Sequence, residues 1–124
     1  MEHFFSKLLF QSKAPFSHVV KHDGLAFISG IVGQQRDTGE LVSQQFEEQC
    51  EAAFINLKIL LEELGLKKEN LIRLTVYVSS FDNFEVLNQI ERKHLGAPFP
   101  SRSCIGVSSL PLGALVQIDG IAAL

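Results

Sequence analysis

The chain has 124 residues, a length that suits one domain over residues 1–124. Hydrophobic residues make up 46% and mean hydropathy is +0.17; in so small a domain the surplus apolar surface points to a subunit interface, so a homo-oligomer is expected. A net charge of −3 excludes a large electrostatic nucleic-acid footprint, and no apolar run approaches the ~20 residues of a membrane span, so neither nucleic acid nor membrane is an expected partner.

The N-terminus, MEHFFSKLLFQSK, has a short apolar patch but an acid at position 2 and no small-residue cleavage site, so it makes a poor secretory signal. Two cysteines, Cys50 and Cys104, occur without a CxxC motif; free thiols in a reducing, cytoplasmic compartment are expected. HVVKHDGLAFIS reads as a hairpin, with Asp23-Gly24 suited to a tight primed turn and the second arm running to about Val32. Gln34 to Glu40 is a polar loop. From about Ser43 to Leu64, Phe46, Cys50, Ala53, Leu57, Leu60, Leu61 and Leu64 recur at helical spacing, and Gly65 is the stop.

Asn70 to Ser79 alternates: Ile72, Leu74, Val76 and Val78 are expected on one face, and Arg73, Thr75, Tyr77 and Ser79 on the other. Asp82 is expected to open a second helix, with Asp82 and Glu85 as a capping box; it ends near Gly96. Two strands close the chain, near Arg102–Val107 and Leu115–Ala122. The order β-β-α-β-α-β-β indicates an α+β fold with two helices on one face of a sheet. The other face then lacks a cover, and copies of the chain are the economical way to supply one.

Period two places Arg102, Cys104 and Gly106 on one face of the penultimate strand, and Leu115, Gln117, Asp119 and Ile121 on one face of the last. If these strands pair, Arg102 and Cys104 converge with Gln117 or Asp119. Arginine suits a two-pronged grip on a carboxylate; the competing reading is a structural salt bridge between Arg102 and Asp119. Cys104 is a nucleophile only beside a base, and no histidine is near it in sequence. His18 and His22 lie on a strand, ~13 Å apart, too far to share a metal ion, so no metal site is expected. Ser29-Gly30, late in a strand, marks either a bulge or close backbone approach, or a ligand contact. There is no Gly-rich phosphate loop and no Ser/His/Asp motif.

APFSHVV, ISGIVG with TGELV, EEQCEAAFINLKILLEELG, NLIRLTVYVSSFDNFEVLNQI, PFPSRSCIGVSSLP and ALVQIDGIA occur in order. Together, from about Ala14 onward, they resemble the RidA (YjgF) family; its most specific pieces are P-x-R-S around Arg102 and the terminal LP…V-x-I-[DE] pattern. The resemblance implies a chorismate-mutase-like fold and a homotrimer whose sheets form an inner barrel, with ligand clefts between subunits. It implies hydrolysis of small reactive enamines and imines, such as 2-aminoacrylate, to 2-oxo acids and ammonia, without a cofactor. By position, Arg102 matches the family's binder of the substrate carboxylate. Cys104, Ser29, Gly30 and Asn88 match residues lining the cleft. Phe16 stands where deaminating members commonly have tyrosine. Gln117 stands where they have the glutamate that activates water, and a glutamine orients water without taking its proton. Two main expectations follow from this replacement: a deaminase of small 2-imino acids, weakened by the loss of the base, or a non-catalytic binder of small 2-oxo and 2-imino carboxylates. A third, action on RNA, has the acidic charge balance against it.

Overall fold

The computed structural model covers residues 1–124 and places six strands in one sheet. They are β1 (Glu2–Phe4), β2 (Val19–His22), β3 (Leu25–Ile31), β4 (Leu71–Val78), β5 (Ser101–Gly106) and β6 (Val116–Ala123), in the order β1-β2-β3-β6-β4-β5. Helices α1 (Phe46–Glu63) and α2 (Phe84–Leu95) pack on one face. The α+β class with two helices on one sheet is as the patterning predicts. Strand β1 is an addition: three residues are too few to show an alternation in sequence, and pairing with β2 orders them.

The first hairpin forms as its turn chemistry demands. His22 opposes Leu25 across a two-residue loop, with Asp23 at φ +50° and Gly24 at φ +78°. At the other end of β3, Ile28 opposes Gly120 and Ile31 opposes Ile118, so Ser29 and Gly30 together face the single residue Asp119. This is a β-bulge, the first of the two readings of Ser29-Gly30.

A second bulge corrects the pattern of β4. Leu71 opposes Ala122 and Arg73 opposes Ile121, leaving Ile72 as the extra residue. Ile72 is accordingly exposed, and Leu71 takes the core position that strict alternation assigns to Ile72. Beyond the bulge Leu74, Val76 and Val78 are buried as expected.

The last two strands do not pair with each other. Strand β4 lies between them, parallel to β5 and antiparallel to β6. The connection through α2 carries the chain to the outer edge, and the return through the Pro111–Gly113 turn brings it back to the sheet centre. Helix α2 also begins differently from expectation. Ser80, not Asp82, caps the entry: its hydroxyl accepts the Asp82 N–H at 3.1 Å, and a single 3-10 turn, Phe81–Asn83, leads into the helix. Gly96, at φ +67°, ends it.

The core lies between helices and sheet. Phe54, Leu57, Leu60 and Leu61 of α1 meet Leu74, Val76, Val116 and Ile118 of the sheet, with Leu87 and Ile90 from α2. Burial of each such side chain stabilises the fold by roughly 1.5–3 kcal/mol. Two buried polar residues on α1 tie loops to this core. Gln49 Oε1 accepts the Leu115 N–H at 2.8 Å, and Asn56 Nδ2 donates to the Gln34 carbonyl at 3.1 Å. Glu63, at the end of α1, accepts from the Ser6 hydroxyl and the Lys7 N–H and so holds the N-terminal segment. No helix is long and apolar enough to cross a membrane.

Candidate functional site

The register divides the candidate residues into two sets. Arg102 opposes Leu74 and Cys104 opposes Val76, both core residues, so Arg102 and Cys104 share the helix-covered face. Gln117 opposes Tyr77 and Asp119 opposes Thr75, on the face away from the helices. The convergence expected from pairing of the last two strands therefore does not occur within one chain. Nor does the Arg102–Asp119 salt bridge.

The first set gathers around Arg102, at the edge of the sheet beside α2. Arg102 Nη1 donates to Asn88 Oδ1 at 2.8 Å and to Glu91 Oε1 at 3.0 Å. Asn88 and Glu91 are three apart on α2, one turn of the same face. The guanidinium also stands over the Phe84 ring, 5.5 Å from its centroid. Arg102, Asn88 and Glu91 line a cavity of about 280 Å³, with Phe99, Pro100 and the exposed Arg92 at its border. Cys104 sits two residues along the strand from Arg102. Burial pushes its thiol above the usual range; Glu91 adds to this and Arg102 opposes it. The thiol is therefore protonated at neutral pH, which argues against a thiolate nucleophile.

The second set lines an open cleft of about 830 Å³. Phe16, Ser29, Gly30 and Gln117 meet there, walled by the Gln34–Glu40 loop and by Pro111 and Leu112. Gly30 leaves room for Gln117: a Cβ there would lie 2.4 Å from Gln117 Nε2, so any larger residue would displace that amide. The bulge thus lets the Gln117 amide lie against backbone. The Ser29 hydroxyl donates to the Ser17 carbonyl at 2.6 Å, and the Phe16 ring meets His18 edge-on at 5.8 Å between centroids. His18 Nδ1 accepts the Ser6 N–H, while His22 pairs with Asp23. Asp119 lies on the same face as Gln117, one step along β6. Burial and then this carboxylate hold the Tyr77 hydroxyl above its ordinary range.

Two participants escape sequence reading. Glu91 is one, although its three-residue spacing from Asn88 on a helix was an available signal. Leu112 is the other, a non-glycine residue at φ +63° that is exposed beside the cleft. Nothing in its sequence context announces that conformation.

Residues 7–124 match the family model described as Endoribonuclease L-PSP. The chain belongs to the RidA (YjgF) family. Among curated relatives it is 39% identical over 110 residues to a RutC family protein of Aquifex aeolicus, covering 87% of each chain. It is 30% identical over 111 residues to the 2-iminobutanoate/2-iminopropanoate deaminase of Dermatophagoides farinae, covering 90% of this chain and 87% of that one. Among solved structures, RidA from the Antarctic bacterium Psychrobacter sp. superposes with a TM-score of 0.94 at 27% identity over all of both chains. The fold of the chain is therefore the RidA fold, as the sequence resemblance implies.

Proposed function

We propose that this RidA family chain binds small 2-imino and 2-oxo acids and hydrolyses the imines to 2-oxo acid and ammonia. The observation that carries the reading is the arginine at the cavity edge. Arg102 is held by Nη1 alone, and its other donors are left for a ligand carboxylate. The deaminase named among its relatives fits the same chemistry.

The reaction needs water at the imine carbon. The water oxygen forms a bond to that carbon, the C=N electron pair moves to nitrogen, and nitrogen takes up the proton. The hydroxyl proton of the resulting carbinolamine then passes to nitrogen, the C–N bond breaks, and ammonia leaves as the C=O forms. Gln117 is suited to hold the water, its amide oxygen accepting from it, but not to remove its proton. Positioning beside an already electrophilic carbon supplies the acceleration.

Arg102 and Gln117 act together only if two copies of the chain meet, with the Arg102 cavity of one facing the Gln117 cleft of the next. We assign the assembly as a homotrimer. Its support is the sheet face opposite the helices, where Phe27 and Ile105 are exposed and no element of the chain covers them. Light scattering should return three times 13.8 kDa; a stable folded monomer would remove both the assembly and the shared cleft.

The replacement at Gln117 favours a second reading, a binder of small carboxylates with little turnover. One assay separates the two: the decay of 2-iminobutanoate, generated in situ, with and without protein. Acceleration supports hydrolysis. Saturable 2-oxobutanoate binding without acceleration supports the binder.

A further inference from the structure

Arg102 and Glu91 form an ion pair in which each group uses only part of its capacity. Arg102 Nη1 makes both of its hydrogen bonds, to Asn88 Oδ1 and Glu91 Oε1, while Nε and Nη2 make none within the chain. Glu91 Oε1 accepts from Arg102, and Oε2 accepts nothing. The Glu91 side chain is 8% exposed and lines the cavity, and Oε2 is not fully buried: the one fully buried polar side-chain atom without a partner lies elsewhere, at His94 Nδ1. A nearly buried carboxylate with an unused oxygen is costly unless something donates to it.

The cavity thus offers two free donors of a guanidinium and, next to them, one free acceptor of a carboxylate. We infer that Arg102 and Glu91 together read a zwitterion: a carboxylate on Arg102 and, on the adjacent carbon, a protonated nitrogen on Glu91 Oε2. This rests on the reading that Arg102 binds a carboxylate, and it narrows the ligand class from any small carboxylate to 2-iminio and 2-amino acids. A 2-oxo acid has no N–H to give Glu91, and its carbonyl oxygen meets the carboxylate unfavourably. The site therefore holds the imine and releases the oxo product. Arg92, the other charged side chain at the cavity, is exposed, so solvent screens its repulsion of the ligand nitrogen.

The test uses three stable ligands of one size: butanoate, 2-oxobutanoate and L-2-aminobutanoate. Binding to the whole protein is measured by calorimetry or ligand-observed NMR. A charge-assisted hydrogen bond predicts that 2-aminobutanoate binds about tenfold tighter than 2-oxobutanoate. Glu91→Gln should erase or reverse that preference while butanoate binds at least as tightly as before. Glu91→Asp, which keeps the charge, should retain part of the preference. Failure of all three ligands to bind the unmodified protein would overturn the carboxylate reading and this inference with it. Binding of butanoate and 2-oxobutanoate with no preference for 2-aminobutanoate would overturn the zwitterion inference alone, and needs no variant to fold.

Discussion

Arg102 and Gln117 stand on opposite faces of the same sheet, with β4 between their strands. Each lines its own cavity: Arg102 with Asn88 and Glu91, Gln117 with Phe16, Ser29 and Gly30. In the proposed reaction the first would supply the carboxylate anchor and the second the group that orients water.

The anchor is tested by Arg102→Lys. Lysine keeps the charge, so Glu91 retains a cation and thermal stability should change little. The planar fork is lost, and with it the two-pronged hold on a carboxylate. A charge-assisted hydrogen bond contributes roughly 1.5–3 kcal/mol, so affinity for 2-oxobutanoate should fall about ten- to a hundred-fold. Unchanged affinity with a large loss of melting temperature would mean that Arg102 serves the fold.

The missing base is tested by Gln117→Glu. The two side chains are nearly isosteric, so the contact with Gly30 survives. A carboxylate can take the proton of the attacking water, and general-base catalysis typically contributes about 10²–10⁴-fold. Part of that gain should appear as faster 2-iminobutanoate hydrolysis, while 2-oxobutanoate affinity changes less because Arg102 is untouched. Asp119 on the same face opposes ionisation of the new acid, so the gain should grow with pH. A rate equal to that of the unmodified chain would show that the chemistry does not wait on a base at this position.

These residues also mark how far the sequence could be read. The faces of Arg102, Cys104, Gln117 and Asp119 within their strands follow from period two, and α1, α2 and the Asp23-Gly24 turn follow from spacing and turn chemistry. Strand neighbours do not, because β5 and β6 are adjacent in sequence yet β4 separates them. Of the two bulges, Gly30 marks the one in β3, but the one in β4 is silent: one extra residue at Ile72 moves Leu71 into the core, and no local preference announces it. Glu91 is one of two acids on α2, and only the fold brings Arg102 to it, from a strand position 11 residues away.

Between the helices, His94 Nε2 lies 2.8 Å from Glu51 Oε2, with Lys93 on the other carboxylate oxygen. Burial raises the Glu51 pKa, but the hydrogen bonds from Lys93 and His94 outweigh it and hold the carboxyl below its ordinary range. A lowered carboxyl stabilises the fold above its unfolded pKa, and that contribution is lost as pH falls through the folded one. Melting temperature should therefore drop at acid pH, below the usual carboxylate range. Glu51→Gln should be less stable at neutral pH and show a flatter acid limb. Parallel curves for the two proteins would refute the coupling.

The thiols should differ in reactivity. Cys50 is buried and its thiol is pushed up to about 12 by burial, then by Glu51 and Glu91. Cys104 is half-buried and raised less. An aromatic disulfide reagent should leave Cys50 untouched in the native protein and modify Cys104 slowly, faster as pH rises above the ordinary thiol range. Saturating 2-oxobutanoate should slow that reaction, because Cys104 lies beside Arg102. Rapid modification at neutral pH would contradict a protonated Cys104.

The proposed cleft between copies makes a prediction that no single-chain site can meet. Take Arg102→Lys and Gln117→Leu, each defective alone in 2-iminobutanoate hydrolysis. Unfold them together in equal amounts and refold, so that copies assemble at random. A cleft that draws Arg102 from one copy and Gln117 from its neighbour is intact when the first copy carries the Leu change and the second the Lys change. Each condition holds half the time, so about a quarter of the clefts in a symmetric ring should be restored. Activity should rise to about a quarter of that of the unmodified protein refolded in the same way. Chains refolded separately and then mixed should show no such rise unless subunits exchange. If both residues served one site within one chain, every site in the mixture would carry one defect, and the activity would stay at the mean of the two variants.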